Sequence, residues 1–285
     1  MLRIKAPAKI NLSLSIIGKQ EVFHEVEMVM TTLDLSDYVT LSKSPSQSIS
    51  ITVTSDCVTV PLNEDNIAYQ AAFAFMEHFN LTGDINIHIE KNIPIAGGLA
   101  GGSANAAATL KGLRELFDVD CSIAELCDIG ATLGSDIPFC IVGKTALATG
   151  RGEIITPIAS MPPCWAIIVN PRVSVSTHEI YSSFKLEEAE PIDINKMLEA
   201  IENQDFNAIC ENLANNLEPI TTAKVSRVTA IKKKLNTFGA SGVLMSGSGP
   251  TVFALAYNEK KAIAVYQQMK SFYPQFTTHL TRVMG

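Results

Sequence analysis

The tightest constraint on this chain is a run of glycines between a strand and a helix. Residues 84–90 (DINIHIE) alternate apolar and polar side chains, the period of a half-buried strand. Residues 92–103 follow with Gly97, Gly98, Gly101 and Gly102, and residues 104–117 then carry the Ala, Leu and Arg of a strong helix former. A strand, a glycine turn and a helix in that order gather main-chain N–H groups at the helix N-terminus, where unsatisfied donors and the positive end of the helix dipole coincide. Such a place suits an anion, phosphate above all. A plain tight turn would account for one glycine; four, with Ser103 behind them, favour a phosphate loop. Neither of its commonest sequence forms fits. Gly143-Lys144-Thr145 supplies the tail of a Walker loop, but the position of its leading glycine is Pro138, and GxGxxG is absent from the first loop.

Four more of the 17 glycines cluster at Gly239, Gly242, Gly247 and Gly249. Ser246, Gly247, Ser248 and Gly249 precede an apolar strand, so a second loop is expected to close over a substrate or to steady the first. Two charged residues sit in apolar company. Asp136 follows a helix and adjoins Ile137, Pro138 and Phe139. A carboxylate in such a wall can serve as a base toward an alcohol; a turn-forming aspartate is the plainer alternative. Lys9, in PAKINL, is placed on a strand to face an anion or polarise a hydroxyl, or simply to pack its stem.

The rest of the chain reads as interspersed strands and helices. Strands are expected over residues 4–17, 38–44, 49–54 and 165–170, and helices over 66–78 and 259–273. Ser122-Ile-Ala-Glu125 is a capping-box pattern opening a helix toward Leu133, and further helices start near Ile194, Phe206 and Pro219. The long β-rich start favours an α+β class over a regular doubly wound sheet. Met161-Pro162-Pro163 marks a junction between residues 1–160 and 161–285. Lys plus Arg number 22 against 29 Asp plus Glu, a balance that argues against a nucleic-acid-coating protein. No apolar run approaches the ~20 residues of a membrane span, the start lacks a signal-peptide pattern, and the six cysteines form no CxxC pair. A cytoplasmic protein with reduced thiols is expected, either a monomer or a small homo-oligomer, with small molecules as its partners and neither nucleic acid nor membrane.

PAKINL, PIAGGLAGGSANAAA and MSGSGPTVF stand in order along the chain and are similar to the three motifs of the GHMP kinases (galactokinase, homoserine kinase, mevalonate kinase, phosphomevalonate kinase). The wider stretches APAKINLSLSIIG, MVMTTLDLSD, GSDIPFCIVGKTALATGRGE and GASGVLMSGSGPTVF extend the resemblance over almost the whole chain, toward a branch acting on a cytidyl substrate. The AGGLAGG form, with Ala96 and Ala100, looks like the variant found in Gram-positive bacteria. The resemblance implies two α+β domains, an N-terminal ATP-binding domain and a ferredoxin-like C-terminal one, with the active site in the cleft between them. It implies transfer of the γ-phosphoryl group of ATP, with Mg²⁺, to an alcohol: in the matching branch, the 2-hydroxyl of a diphosphocytidyl-linked methylerythritol of isoprenoid-precursor synthesis. Asp136 would be the base and Lys9 would steer it. Pro94, Ile95, Ala96, Gly97, Gly98, Leu99, Ala100, Gly101, Gly102, Ser103 and Ala104 would wrap the triphosphate, with Ser103 also near the metal and Asn66 near the adenine. Asn11, Thr177, Gly247 and Ser248 would face the substrate.

The family's DGYHE-like segment reads Glu21-Val22-Phe23-His24-Glu25 here. His24 is retained for a cytosine edge, Phe23 keeps a ring without the tyrosine hydroxyl, the Asp-Gly turn is gone, and Tyr181 matches the second aromatic around the base. A GHMP kinase with another alcohol substrate and a non-catalytic nucleotide binder are the competing expectations. Lys9 and Asp136 together disfavour the second, since a binder has no need of a base and a cation.

Overall fold

The computed structural model describes residues 1–19 and 23–285. Glu21 and Val22 of the altered segment lie outside the described residues. The elements run β1 (Leu2–Lys19), β2 (His24–Ser44), β3 (Ile49–Ser55), α1 (Ile67–His78), β4 (Gly83–Glu90), α2 (Gly101–Phe117), α3 (Ile123–Leu133), α4 (Ile137–Val142), β5 (Thr145–Thr149), β6 (Ile154–Pro157) and β7 (Trp165–Asn170). They continue with α5 (Thr177–Ser182), α6 (Ile194–Glu202), α7 (Phe206–Glu211), β8 (Ala214–Asn215), α8 (Glu218–Lys224), α9 (Ser226–Thr237), β9 (Gly242–Met245), β10 (Val252–Ala256), α10 (Glu259–Phe272) and β11 (Thr277–Met284). Two compact units form, interleaved in sequence. One comprises Met1–Ala8, Ser36–Ile95 and Ala100–Val142; the other comprises Lys9–Leu35, Ala96–Leu99 and Gly143–Gly285. Among the described residues no helix is long and apolar enough to cross a membrane.

In the first unit, β4 pairs antiparallel with the end of β2, from Tyr38↔Glu90 to Ser44↔Asp84, and parallel with β3, from Ile49↔Gly83 to Ser55↔Ile89. The alternation of DINIHIE carries through: Ile85, Ile87 and Ile89 are 1% exposed while Asn86 and His88 face out. Each such isoleucine contributes about 1.5–3 kcal/mol by leaving water. Helix α2 comes close to this sheet because residue 112 is glycine; a Cβ there would overlap the Leu41 side chain. The Asn66 side chain caps α1 by accepting from the Ala68 N–H at 2.9 Å, and Ser122 caps α3 by accepting from the Glu125 N–H at 3.0 Å. The Ser122–Glu125 pattern thus marks the helix start as expected.

In the second unit, β7 is flanked by β11 and β10, and β9 closes the far side of β10, all antiparallel. Numbered along the chain as 1 (β7), 2 (β9), 3 (β10) and 4 (β11), the four strands lie in the order 4-1-3-2, with helices in the 1–2 and 3–4 connections. That is the split βαβ arrangement of a ferredoxin-like fold. Around it, Ser13 and Leu14 of β1 pair parallel with β8, and Met28–Thr31 of β2 pair with β5.

Strands β5, β6, β8 and β11 and helix α5 carried no sequence expectation, and three further elements are instructive. Strand β2 starts at His24 rather than Tyr38, because Val26, Met28, Val29 and Met30 are all buried and no two-residue alternation survives. Helix α2 starts at Gly101, three residues early, since glycines are tolerated in a first turn. Helix α4 is only six residues, too short for a periodic signature, and holds Pro138 near its start, where a missing N–H costs nothing.

Candidate active site

Within the second unit, Lys9 and Asn11 are two apart on β1, so their side chains share one face of the strand. Both are buried, at 4% and 0% exposure. The Lys9 ammonium donates to Asn11 Oδ1 at 2.7 Å. The Lys9 main-chain N–H donates to the Leu99 carbonyl at 3.1 Å, which ties β1 to the first glycine segment. The Asn11 N–H reaches Ser246 Oγ at 3.4 Å, and Ser246 Oγ donates to the Gly98 carbonyl at 2.9 Å. Four residues from three distant parts of the sequence are therefore linked in one chain of hydrogen bonds.

The two glycine segments meet here. Gly98 has φ +74, and a Cβ on it would overlap the Ser246 carbonyl oxygen and lie 3.2 Å from both the N and the O of Gly249. Gly247 has φ +57 and its missing Cβ faces the Gly98 carbonyl at 3.3 Å. The second segment steadies the first, one of the two alternatives left open by the sequence. It is itself held from behind by residues that carried no sequence signal. Asn215 donates to the Met245 and Gly247 carbonyls at 2.9 and 2.8 Å, and the Thr221 hydroxyl donates to the Ser248 carbonyl at 3.0 Å. The Ser248 hydroxyl meets that of Thr177 at 3.0 Å.

His24, also in this unit, sits in an aromatic corner. Its ring centroid is 5.6 Å from that of Tyr181 and 6.0 Å from that of Phe184. Its Nε2 is out of water and has no hydrogen-bond partner among the described residues. Burial, and secondarily the charge of Lys19, pushes its pKa below the ordinary imidazole value. Phe23 points elsewhere: the Arg151 guanidinium lies over its ring at 5.8 Å. Phe184, and not Phe23, is thus the second phenyl group beside His24, and it was not among the sequence candidates.

Within the first unit, α2 begins without a capping side chain. Its N-cap, Ala100, has φ 55 and supplies no side-chain cap, and no acidic residue stands in the first turn. The N–H groups of Gly101, Gly102 and Ser103 thus open the helix without a capping side chain, which fits a phosphate. Ala96 (φ 51) and Ala100 both adopt the left-handed conformation, at a cost of about 1–2 kcal/mol each for a residue with a Cβ. Pro94 and Ile95 lead into this turn, Ile95 with its side chain exposed, and Ala104 is buried in the first turns of α2. Asn66 is buried, and besides capping α1 it donates to the Pro61 carbonyl at 2.7 Å. Asp136 precedes α4, with its carbonyl accepting from the Cys140 N–H at 3.1 Å. Ile137 and Phe139 beside it are at most 1% exposed, the apolar wall read from the sequence. Among the described residues no cluster of three or more His, Cys, Asp or Glu could hold a metal ion.

Residues 66–144 match the family model for the GHMP kinase N-terminal domain, and residues 197–275 match that for the GHMP kinase C-terminal domain. A 4-diphosphocytidyl-2-C-methyl-D-erythritol kinase from Geobacillus thermodenitrificans is 48% identical over 275 residues, 96% of this chain and 94% of that protein. The chain belongs to the GHMP kinases. A second kinase of the same name, from Shouchella clausii, is 48% identical over 99% of this chain and 95% of its own length. The GHMP fold is also plain in solved structures. A crystal structure of 4-(cytidine 5'-diphospho)-2C-methyl-D-erythritol kinase covers the whole of both chains with a TM-score of 0.84 at 28% identity. A homoserine kinase from Cytophaga hutchinsonii gives a TM-score of 0.81 at 19% identity over 99% of this chain and 94% of its own.

Proposed function

We propose that this GHMP kinase transfers the γ-phosphoryl group of ATP to the 2-hydroxyl of 4-diphosphocytidyl-2-C-methyl-D-erythritol, a step of non-mevalonate isoprenoid-precursor synthesis. The relatives at 48% identity carry that name. The observation that carries the substrate assignment is His24: a ring nitrogen shielded from water, unpartnered, with two aromatic rings beside it. A buried polar atom without a partner is costly, and a cytosine edge would satisfy it while the Tyr181 and Phe184 rings bound the base.

In this proposal the turn from Pro94 to Ala104 holds the triphosphate by main-chain N–H groups, with Asn66 on the adenine side. Asp136 accepts the proton of the substrate hydroxyl as its oxygen bonds to the γ-phosphorus. The bond from that phosphorus to the β–γ bridging oxygen breaks, and ADP leaves. Lys9, kept in place by Asn11, holds its positive charge toward the hydroxyl and the carboxylate. Asn11, Thr177, Gly247 and Ser248 line the substrate side. The Ser103 hydroxyl would help to hold Mg²⁺. Mg²⁺ supplies neutralisation of the phosphate charge. Positioning and charge stabilisation are the main contributions such a protein makes to phosphoryl transfer. The proposal includes cytoplasmic residence, a monomer or small homo-oligomer, no nucleic-acid partner, and a division into residues 1–160 and 161–285. The two family-model matches fall one on each side of that division, which supports it.

The test is ADP release from Mg-ATP with and without the cytidyl substrate. Release that requires it supports the proposal; release that requires a different alcohol, or nucleotide binding with no turnover, would refute it. A pH series sharpens the His24 role. Because its pKa is lowered on folding, the ring is neutral at pH 7, and the neutral form is lost as pH falls through a value below about 6.5. KM for the cytidyl substrate is therefore expected to rise on the acid side while KM for ATP stays flat, and His24→Gln should remove that acid rise. A His24→Gln enzyme with the wild-type acid profile would take His24 out of the site.

A further inference from the structure

Asp37 lies near the middle of the second long strand, as the last residue of the stretch MVMTTLDLSD, and it is fully buried at 0% exposure. Four donors converge on its two oxygens. Oδ1 accepts from the main-chain N–H of Asn92 at 2.7 Å and of Ile93 at 2.8 Å. Oδ2 accepts from the Asn105 side-chain amide at 2.9 Å and from the Lys91 ammonium. Lys91 also donates to Asn105 Oδ1 at 3.1 Å, and its nitrogen lies 3.3 Å from where a Cβ on Gly101 would stand.

The donors fall into two groups. Lys91, Asn92 and Ile93 are the last residues before the turn that starts at Pro94. Asn105 is the fifth residue of α2, just past that turn. One carboxylate therefore grips the way in and the way out of the segment 94–104, and Lys91 repeats the link from the entry side. We propose that Asp37 is a positioning residue for nucleotide binding: a clasp that closes the base of the glycine turn and fixes the separation of its two ends. The inference rests on the proposed ATP role of that turn. The physical case is one of asymmetry. A buried carboxylate and a buried ammonium are expensive to remove from water, and such a pair is weak grounds for stability alone. Here it is fully hydrogen-bonded to one loop's two ends, and an ordered loop binds its ligand without the cost of ordering it at that moment.

Asp37→Asn separates the two ends. The remaining Oδ1 still accepts from Asn92 and Ile93, but the new amide nitrogen faces two donors, Lys91 and Asn105. Adding Asn105→Asp restores the 37–105 bond with its polarity reversed and gives Lys91 a carboxylate at position 105, leaving lost only the Lys91 bond to residue 37. For Asp37→Asn, KM for ATP is expected to rise roughly tenfold, the loss of one charge-assisted hydrogen bond, with kcat changed much less. Amide exchange over residues 96–104 should speed up more than exchange in α1 or β4. The double variant should recover the greater part of both. All variants are to be assayed below their melting temperatures, beside Gly98→Ala. If Gly98→Ala raises KM for ATP while Asp37→Asn leaves it at the wild-type value, the clasp is wrong and the ATP turn stands. If Gly98→Ala leaves it unchanged, the ATP reading itself fails. If Asp37→Asn lowers the melting temperature and kcat with KM and loop exchange untouched, or the double variant recovers the melting temperature without KM, Asp37 is structural only.

Discussion

Gly98→Ala is expected to raise KM for ATP by at least an order of magnitude, the equivalent of about 1.4 kcal/mol or more in binding. The reason is steric and twofold. The residue has φ +74, which a side chain tolerates poorly, and its Cβ would overlap the Ser246 carbonyl with Gly249 close behind. The three nearest atoms are all backbone, so no flexible side-chain end can relieve the overlap by moving aside. Relief must come from separating the two glycine segments, which breaks the Ser246 Oγ to Gly98 carbonyl bond at 2.9 Å and pulls at the Asn11 N–H behind it. The second segment cannot yield easily, because Asn215 and Thr221 hold three of its carbonyls. The first must therefore shift, and the main-chain N–H groups of the turn shift with it. Overpacking of this kind costs about 1–3 kcal/mol of stability as well, so melting and kinetics are to be measured together. A variant with a lowered melting temperature but wild-type KM for ATP would mean that the turn is scaffolding and the nucleotide sits elsewhere.

That contact also marks the limit of what the sequence discloses. Gly98 and Ser246 were each legible as members of glycine-rich loops, and the first loop's position between β4 and α2 followed from hydrophobic period alone. Their packing against each other did not, because a separation of 148 residues leaves no local trace. The same holds for the supports. Lys9 was legible as a strand residue from its apolar neighbours and Asn11 only through the family resemblance; their bond to each other follows from the two-residue spacing of β1. Asn215 and Thr221 act through bonds to distant main-chain atoms, and nothing in their own neighbourhoods distinguishes them from ordinary polar residues; Asp37 ends the quoted stretch MVMTTLDLSD, but its partners at residues 91–93 and 105 left no local trace. Phe23 shows the converse. Its position in the motif marked it for the cytidyl base, yet it stands just before β2, and while His24 lies beside Tyr181 and Phe184, the Phe23 ring lies beside Arg151.

Asp136→Asn should have the largest effect on turnover of any single change. A positioned general base contributes about 10²–10⁴-fold, and kcat should fall within that range. The substitution is nearly isosteric and removes the negative charge. Residue 136 meets α4 through its carbonyl, which accepts from the Cys140 N–H at 3.1 Å irrespective of the side chain. Asparagine serves as well as aspartate ahead of a helix, and the apolar wall of Ile137 and Phe139 keeps its shape. KM for ATP and the melting temperature should consequently stay near wild type, so that the loss falls on the chemical step. An asparagine can still accept a hydrogen bond from the substrate hydroxyl, but it cannot take the proton when the oxygen–phosphorus bond forms. A further signature follows from that distinction. If proton removal is what is lost, the variant's residual rate should rise with pH as hydroxide takes over, whereas a variant that had only lost orientation would be slow at every pH. Near-wild-type turnover in Asp136→Asn would remove this carboxylate from the mechanism and leave Lys9 to activate the hydroxyl by its charge alone.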